Sequence, residues 1–145
     1  MTQEDKDLLL KDLSARLPYG VKCKVKYIIN NETTYGEDVE SECIDTIKKI
    51  SFDTYSVYTE WLGYESDIED IKPYLRPIPS MTEEETEEYF NTLIWSQDIK
   101  GLAPNVRIPT VNSVDWLLKN HFDYRWLIKK GLAIAVTEEN NPYKE

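Results

Sequence analysis

The chain has 145 residues, of which 41% are hydrophobic, 12% aromatic and 30% charged, and its formal net charge is −10. This length and composition suit one small domain with a buried core and argue against wholesale disorder. No apolar run approaches the roughly 20 residues that span a bilayer, and the first residues lack the basic start and apolar core of a signal peptide. We therefore expect a cytoplasmic protein that does not contact a membrane.

The acidic residues are concentrated in the middle of the chain. Residues 32–88 contain seventeen acidic and four basic residues, whereas the remainder is slightly basic. A surface of this sign repels phosphate backbones, so nucleic acid is not an expected partner. The acidic surface either keeps the protein soluble or meets a basic partner, and both interpretations stay open.

Periodic residues in the first half predict a helix followed by a small sheet. Residues 2–17 have helical spacing, with Thr2 as the cap and Pro18-Tyr19-Gly20 as the stop. Alternation predicts strands over residues 21–28, 39–47 and 54–61, and the irregular alternation of the second indicates a bulge. Residues 30–36 are interpreted as a loop. Residues 67–75 are interpreted as a short strand running into one helical turn that Pro73 breaks.

Short strands joined by tight turns indicate the fold class. They are typical of a small curved antiparallel sheet or an SH3-like half-barrel. The predicted class is α+β, with an N-terminal helix, this sheet and C-terminal helices. We expect residues 1–79 to form the helix and sheet domain, and residues 80–145 a helical part packed on it as one unit.

The helical part begins with a strong start signal. Two overlapping capping boxes, Ser80 to Glu83 and Thr82 to Glu85, predict a helix that ends near Ser96. Residues 99–110 are interpreted as a connector with two prolines.

The stretch from residue 112 to residue 136 has the clearest helical spacing in the chain. It predicts two short helices that meet at residues 120–123, capped by Asn112 or Ser113 and by Asp123. The pattern does not distinguish two helices from one broken helix. Residues 132–136 are predicted to form a strand that is able to rejoin the sheet, and residues 137–145 a polar tail.

The sequence contains no motif with a known catalytic spacing. His121 is the single histidine and continues the apolar stripe of its helix, so it is interpreted as a structural residue. Cys23 and Cys43 are interpreted as small buried hydrophobic residues, because two cysteines and one distant histidine do not make a zinc site. No catalytic residue, cofactor site or metal site is predicted, and we expect a protein that is not an enzyme.

One weak pattern points to a different chemistry. Metal-dependent nucleases often place an acidic residue two positions before a lysine, on a strand beside an upstream aspartate that helps to hold the metal. Asp70-Ile71-Lys72 has this form, with Asp53 or Asp45 as the upstream residue. The surrounding negative charge and the proline that follows argue against it, so a nuclease ranks third among the functional hypotheses.

The aromatic residues supply candidates for a protein interface. Trp61, Tyr64 and Tyr74 lie in the acidic half and are predicted to anchor a partner on its exposed face. Trp116 and Trp126 are predicted to lie in the core, because a small domain needs large side chains to fill its interior.

Five segments of the chain together resemble the sequences of a known protein family. They are Leu17-Pro18-Tyr19-Gly20-Val21, Asp70-Ile71-Lys72-Pro73-Tyr74-Leu75-Arg76-Pro77, Ser80-Met81-Thr82-Glu83-Glu84-Glu85, His121-Phe122-Asp123-Tyr124-Arg125 and Leu127-Ile128-Lys129-Lys130-Gly131-Leu132-Ala133. Together they resemble an uncharacterised family of short acidic proteins from gut bacteria and their phages or other mobile elements. The resemblance implies that bacterial context. It carries over no catalytic residue, because the family has no assigned activity.

The leading functional hypothesis is a small, non-enzymatic accessory protein that binds an unidentified protein partner through its acidic sheet face. The alternative is an acidic nucleic-acid mimic that inhibits a DNA-binding protein of the host. A mimic needs rows of carboxylates along an elongated surface, whereas a binding module needs an apolar patch with a polar rim. The sequence predicts neither the identity of the partner nor the oligomeric state.

Overall fold

The computed structural model describes residues 1–29, 37–96, 100, 101, 103 and 105–144. The predicted loop at residues 30–36 lies outside these ranges, as do residues 99, 102 and 104 of the predicted connector. Within the described ranges, no helix is both long enough and apolar enough to cross a membrane.

The N-terminal helix forms as predicted. It is α1, Gln3–Arg16, and it begins with a capping box in which Thr2 and Asp5 exchange hydrogen bonds between side chain and backbone. A short 3₁₀ helix at Leu17–Tyr19 follows, and Gly20 then adopts a left-handed conformation with φ 65°. Only glycine adopts this conformation without steric cost, which explains the stop at Pro18-Tyr19-Gly20.

The described residues contain eight strands. In chain order they are β1 (Lys22–Ile29), β2 (Val39–Ser51), β3 (Ser56–Thr59), β4 (Glu65–Asp67), β5 (Ile71–Leu75), β6 (Ile94–Trp95), β7 (Arg107–Ile108) and β8 (Ile134–Ala135). Six of them form one sheet in the order β4-β3-β2-β1-β5-β8, and β6 pairs with β7 alone. The α+β class is confirmed, and the strands of the described residues do not close into a barrel.

The large sheet is mixed, whereas the sequence predicts a small curved antiparallel sheet. Its strands are antiparallel neighbours up to β5, but β8 lies parallel to β5. A parallel pair requires a crossover connection, and the chain makes this crossover through the helices between β5 and β8. The predicted return of residues 132–136 to the sheet is confirmed.

Strand β2 contains a bulge, and a 3₁₀ helix lies immediately before β5. The bulge predicted in the second strand is present between Ile47 and Lys49. The order predicted for residues 67–75 is wrong, because a 3₁₀ helix at Ile68–Asp70 comes before β5 rather than after it. Pro73 lies inside β5, opposite Cys23. Proline is tolerated there because β8 joins the other side of β5 only from Tyr74 onwards.

The second half is less helical than predicted. Helix α2, Glu83–Asn91, begins at the predicted capping box of Thr82 and Glu85 but ends before residue 96, because β6 follows. Helix α3, Val111–Lys119, is capped by Thr110 rather than by Asn112 or Ser113. The predicted second helix does not form, since residues 124–126 are irregular and residues 127–131 are turns.

A cap nevertheless forms where the sequence predicts one, at Asp123. Its carboxylate accepts hydrogen bonds from the backbone amides of Leu127 and Ile128, at 3.0 and 2.9 Å. The turn it begins closes after one revolution, with Leu132 N donating to the carbonyl of Leu127 and with Gly131 at φ 73°. This left-handed closure is the helix-ending pattern that glycine favours.

Both halves of the chain contribute to one hydrophobic core. It packs α1 and the inner face of the sheet against the segment that follows α3. Its buried members are Leu9, Leu10, Leu13, Val21, Cys23, Val25, Ile47, Val57, Ile68, Ile71, Leu75, Leu127, Leu132 and Ala133.

A fully buried ion pair connects α1 to the C-terminal segment. Arg16 Nε donates to Asp12 at 2.6 Å, and Arg16 Nη2 donates to the carbonyl oxygen of Phe122 at 2.8 Å. Both side chains are 0% exposed. The guanidinium of Arg125 approaches the same aspartate, with 3.3 Å between Nε and the carboxylate.

Replacing Asp12 by asparagine should destabilise the protein strongly. The substitution leaves the Arg16 charge buried without an anion, which typically costs about 3–5 kcal/mol. Urea denaturation followed by tryptophan fluorescence measures the change. Asp115→Asn, an exposed change on α3, should cost less than about 0.5 kcal/mol. If Asp12→Asn costs no more than this control, the buried pair does not hold the fold together.

Candidate functional site

A buried carboxylate fixes the turn that carries Trp61. Asp45, in β2, accepts hydrogen bonds from the backbone amides of Trp61 at 2.9 Å, Leu62 at 3.1 Å and Thr46 at 2.7 Å. Gly63, at φ 68°, completes the turn. The main chain is held in this way, so the point from which the Trp61 side chain projects is fixed, and the side chain itself is 70% exposed.

The pKa of Asp45 reflects this arrangement. Burial by itself would raise the pKa, but the hydrogen bonds donated to the carboxylate, including those from Thr46, Trp61 and Leu62, outweigh it and lower the pKa. The group therefore stays ionised at neutral pH and keeps accepting the three amides.

An open groove of about 540 Å³ lies beside this turn. Strands β1 and β4, which contribute most of its lining, are separated in the sheet by β2 and β3. The groove is therefore the unclosed seam of a strongly curved sheet. We name it the acidic groove, and its lining residues are Lys26, Tyr27, Ile28, Glu40, Tyr64, Glu65, Ser66, Asp67 and Asp70.

Negative charge dominates the acidic groove. Partial burial and the neighbouring carboxylate of Asp67 raise the pKa of Asp70, while Lys26 opposes the shift. A raised pKa means that the ionised carboxyl is destabilised where it stands, and a second cation would relieve the repulsion. The hydroxyl of Ser66, also in the lining, is buried and has no hydrogen-bond partner among the described residues.

Two of the three predicted interface residues lie at this groove. Tyr64 lines it and is 46% exposed. Trp61 contacts it through Tyr27, whose ring meets the indole edge-on with 6.3 Å between the ring centroids. The exposure predicted for Tyr74 is wrong, since this residue is only 7% exposed. It lies in β5, between β1 and β8 in the sheet.

The predicted polar tail packs against β1 and β5 through Tyr143. The hydroxyl of Tyr143 accepts a hydrogen bond from Lys22 N and donates one to the carbonyl of Tyr74, at 3.1 and 2.9 Å. The Tyr143 ring stacks on His121 with 4.1 Å between the centroids. Burial, with the charges of Arg16 and Arg76, lowers the pKa of His121 to about 4. At neutral pH the imidazole is uncharged and packs as a structural group.

The residues of the nuclease pattern do not form a site. The carboxylate of Asp45 is occupied by backbone amides. Asp70 lines the acidic groove, whereas Lys72 lies on the exposed face of β5 opposite Lys24. In the part of the chain that the structure describes, no group of three His, Cys, Asp or Glu residues is arranged to hold a metal ion.

The surface also differs from the rows of carboxylates that a nucleic-acid mimic needs. On the exposed side of the sheet, Lys24 forms an ion pair with Glu42 across β1 and β2. Lys26 lies directly opposite the same Glu42, whereas Lys24 lies opposite Ile44, so two lysines of β1 flank this carboxylate. This mixture of charges is unlike a phosphate backbone, and the mimic stays an alternative that no observation here favours.

A second groove was not predicted from the sequence. Trp126, predicted to lie in the core, is 68% exposed, whereas Trp116 packs on Phe122 with 5.6 Å between the ring centroids. The sequence contains a signal for the exposure of Trp126, because this residue falls outside the helical i, i+3, i+4 spacing of Tyr124, Leu127 and Ile128.

The groove beside Trp126 has a volume of about 420 Å³ and an almost entirely apolar lining. We name it the apolar groove, and its lining residues are Pro77, Ile78, Pro79, Asp123, Trp126, Ile128 and Lys129.

No family model, curated protein or solved structure matches this chain. The resemblance to short acidic proteins of gut bacteria and their mobile elements therefore stays a prediction. Function has to be argued from the geometry of the two grooves.

The stability contributed by Asp45 should depend on pH. Because its folded-state pKa is lowered, the carboxylate stabilises the fold above about pH 4, and this contribution is lost as the pH falls through the folded-state pKa. At pH 7, Asp45→Asn should lower the free energy of unfolding by about 2–3 kcal/mol, since several amide donors lose a charged acceptor.

Urea titrations of wild type and Asp45→Asn between pH 7 and pH 3 measure this effect. The difference should shrink at the acidic end, and the exposed control Asp53→Asn should show no comparable difference at any pH. A difference of constant size across the range would contradict the assigned role of the ionised carboxylate.

Proposed function

We propose that this chain is a non-enzymatic protein-binding module whose acidic groove receives a basic segment of another protein. The observation that carries the proposal is the convergence of four carboxylates and three aromatic rings on one open groove. The carboxylates belong to Glu40, Glu65, Asp67 and Asp70, and the rings to Tyr27, Tyr64 and Trp61.

The aromatic residues support a protein ligand. Tyrosine and tryptophan provide large, rigid contact areas and are enriched where proteins bind one another. An arginine or lysine side chain that enters between them also gains from the electron-rich faces of the rings, by about 0.5–1 kcal/mol at an exposed site. Because the turn of Trp61 is held by Asp45, little conformational entropy is lost when a partner binds.

The electrostatics support a basic ligand. Partial burial raises the pKa of Asp70, and the negative charge of Asp67 beside it adds to the shift. Lys26 is the one basic residue in the lining. With four carboxylates and one lysine in the lining, charge complementarity favours a segment that contains arginine or lysine.

The backbone of β4 supports an extended ligand. Among the described strands, β4 pairs with β3 alone and forms one edge of the sheet. An exposed edge accepts an added strand through main-chain hydrogen bonds. The basic segment is therefore proposed to lie extended along Glu65–Asp67, with its cationic side chains directed into the groove.

The proposal predicts binding of a fluorescein-labelled eight-residue peptide of alternating arginine and alanine at low salt. In fluorescence anisotropy, the double substitution Glu65→Gln and Asp67→Asn should raise the Kd about tenfold, because two charged contacts are lost. Trp61→Ala should raise the Kd by about threefold.

The control separates the groove from the general charge of the chain. Glu83→Gln together with Glu84→Gln removes the same two charges from the exposed first turn of α2 and should change the Kd less than threefold. Equal weakening by both pairs of substitutions would show that the peptide is attracted by net charge only, and the proposal would fail.

A further inference from the structure

We infer that the apolar groove is a second docking surface, which binds an acidic amphipathic segment of another protein. An apolar side chain of that segment packs between Trp126 and Ile78, and its carboxylates meet Lys129 and Lys130. The inference goes beyond the proposed function, since the apolar groove shares no lining residue with the acidic groove.

The walls of the apolar groove are held at a fixed separation. Arg76 N donates to the carbonyl of His121 at 2.8 Å, and Asp123 N donates to the carbonyl of Arg76 at 2.9 Å. These bonds connect the start of one wall, at Pro77, to the start of the other wall, at Asp123. The Arg76 guanidinium is itself fixed by two 2.8 Å hydrogen bonds to Glu85 and lies over the Phe122 ring. A groove built in this way exists before its ligand arrives.

Trp126 is presented to solvent by a strained backbone. Its φ is 62°, a left-handed conformation that is unusual for a bulky residue. The hydrogen bonds from Leu127 and Ile128 to Asp123, and the 3.1 Å bond from Lys130 N to the carbonyl of Trp126, hold it there. Strain of this kind persists only where neighbouring bonds impose it, and it is concentrated at functional sites.

The interior of the groove favours an apolar occupant. Its single acidic lining residue, Asp123, already accepts two backbone amides and is buried. The remaining interior is formed by two prolines, two isoleucines and the indole. The apolar surface continues past Pro79 towards Met81 and Phe90, and the exposed Phe90 ring widens it.

The rim of the groove favours an acidic occupant. Lys129 and Lys130 are exposed, and neither forms an ion pair with a described residue. Lys129 lines the groove, and Lys130 adjoins it beside Trp126. A carboxylate is the complement of this rim. The concave shape argues against a lipid surface, which is flat.

The test is a selection from a displayed library of random twelve-residue peptides. Peptides are enriched on the wild-type protein and depleted on Trp126→Gly, and the selected sequences are synthesised. They should contain large apolar residues flanked by Asp or Glu. The depletion step already selects against binding to Trp126→Gly, so the independent test is the pair Lys129→Glu with Lys130→Glu, which should raise the Kd at least about tenfold.

Matched variants keep the result specific. Two controls should change the Kd less than threefold. One is Trp61→Ala, at the acidic groove. The other is Lys48→Glu with Lys49→Glu, which replaces two exposed lysines that are consecutive in β2. Trp126→Gly should keep or raise the wild-type Tm, because glycine accepts the left-handed φ that strains tryptophan. A failure of the acidic groove to bind its arginine peptide leaves these outcomes unchanged, so the two proposals fail separately.

Four outcomes would overturn the inference. The first is that no peptide distinguishes wild type from Trp126→Gly, and the second is that the selected peptides are basic. The third is concentration-dependent self-association in gel filtration that Trp126→Gly abolishes, which would assign the groove to a second copy of this chain. The fourth is that the protein sediments with phosphatidylglycerol vesicles through Trp126, which would assign the groove to a lipid surface.

Discussion

The buried pair of Asp12 and Arg16 is the interaction on which the rest of the structure depends. Removing two charges from water costs several kcal/mol for each ion unless they are paired and hydrogen-bonded. Here the arginine also binds the carbonyl of Phe122, more than a hundred residues along the chain. The pair therefore fixes the segment after α3 against α1. That segment supplies a wall of the apolar groove, and it leads into β8, the strand that extends the sheet beyond β5.

The two grooves share one structural device. In each, a buried aspartate accepts backbone amides from a turn, and the turn presents an exposed tryptophan. Asp45 binds the turn of Trp61, and Asp123 binds the turn of Trp126. A carboxylate that bonds several amides holds the main chain without covering the indole. The protein thus carries large apolar side chains on rigid supports at its surface, an arrangement that suits recognition and adds little to the stability of the core.

Local patterns in the sequence predicted the elements but not all of their neighbours. The capping box of Thr82, the stop at Gly20 and the bulge in β2 depend on adjacent residues, and all three could be predicted. The parallel contact of β5 with β8 joins Tyr74 to Ile134 across sixty residues, and no local pattern encodes it. The exposure of Trp126 depends on a single helical turn that ends at Gly131. The apolar spacing of Tyr124, Leu127 and Ile128 indicated a longer helix there. The exposure of Trp61 and Tyr64 could be predicted because they adjoin a turn signal at Gly63 in the acidic half.

The central claim is that buried carboxylates make both tryptophan turns part of the rigid fold. Native-state hydrogen exchange of the backbone amides, followed by NMR at neutral pH, tests it most directly. If the carboxylates hold the turns, the amides of Trp61, Leu62, Leu127 and Ile128 should exchange at least about a thousandfold more slowly than an unstructured peptide, as an opening free energy of about 4 kcal/mol requires. Exchange of these four amides at the rate of an unstructured peptide would contradict the account, because the turns would then open independently of the carboxylates that bind them.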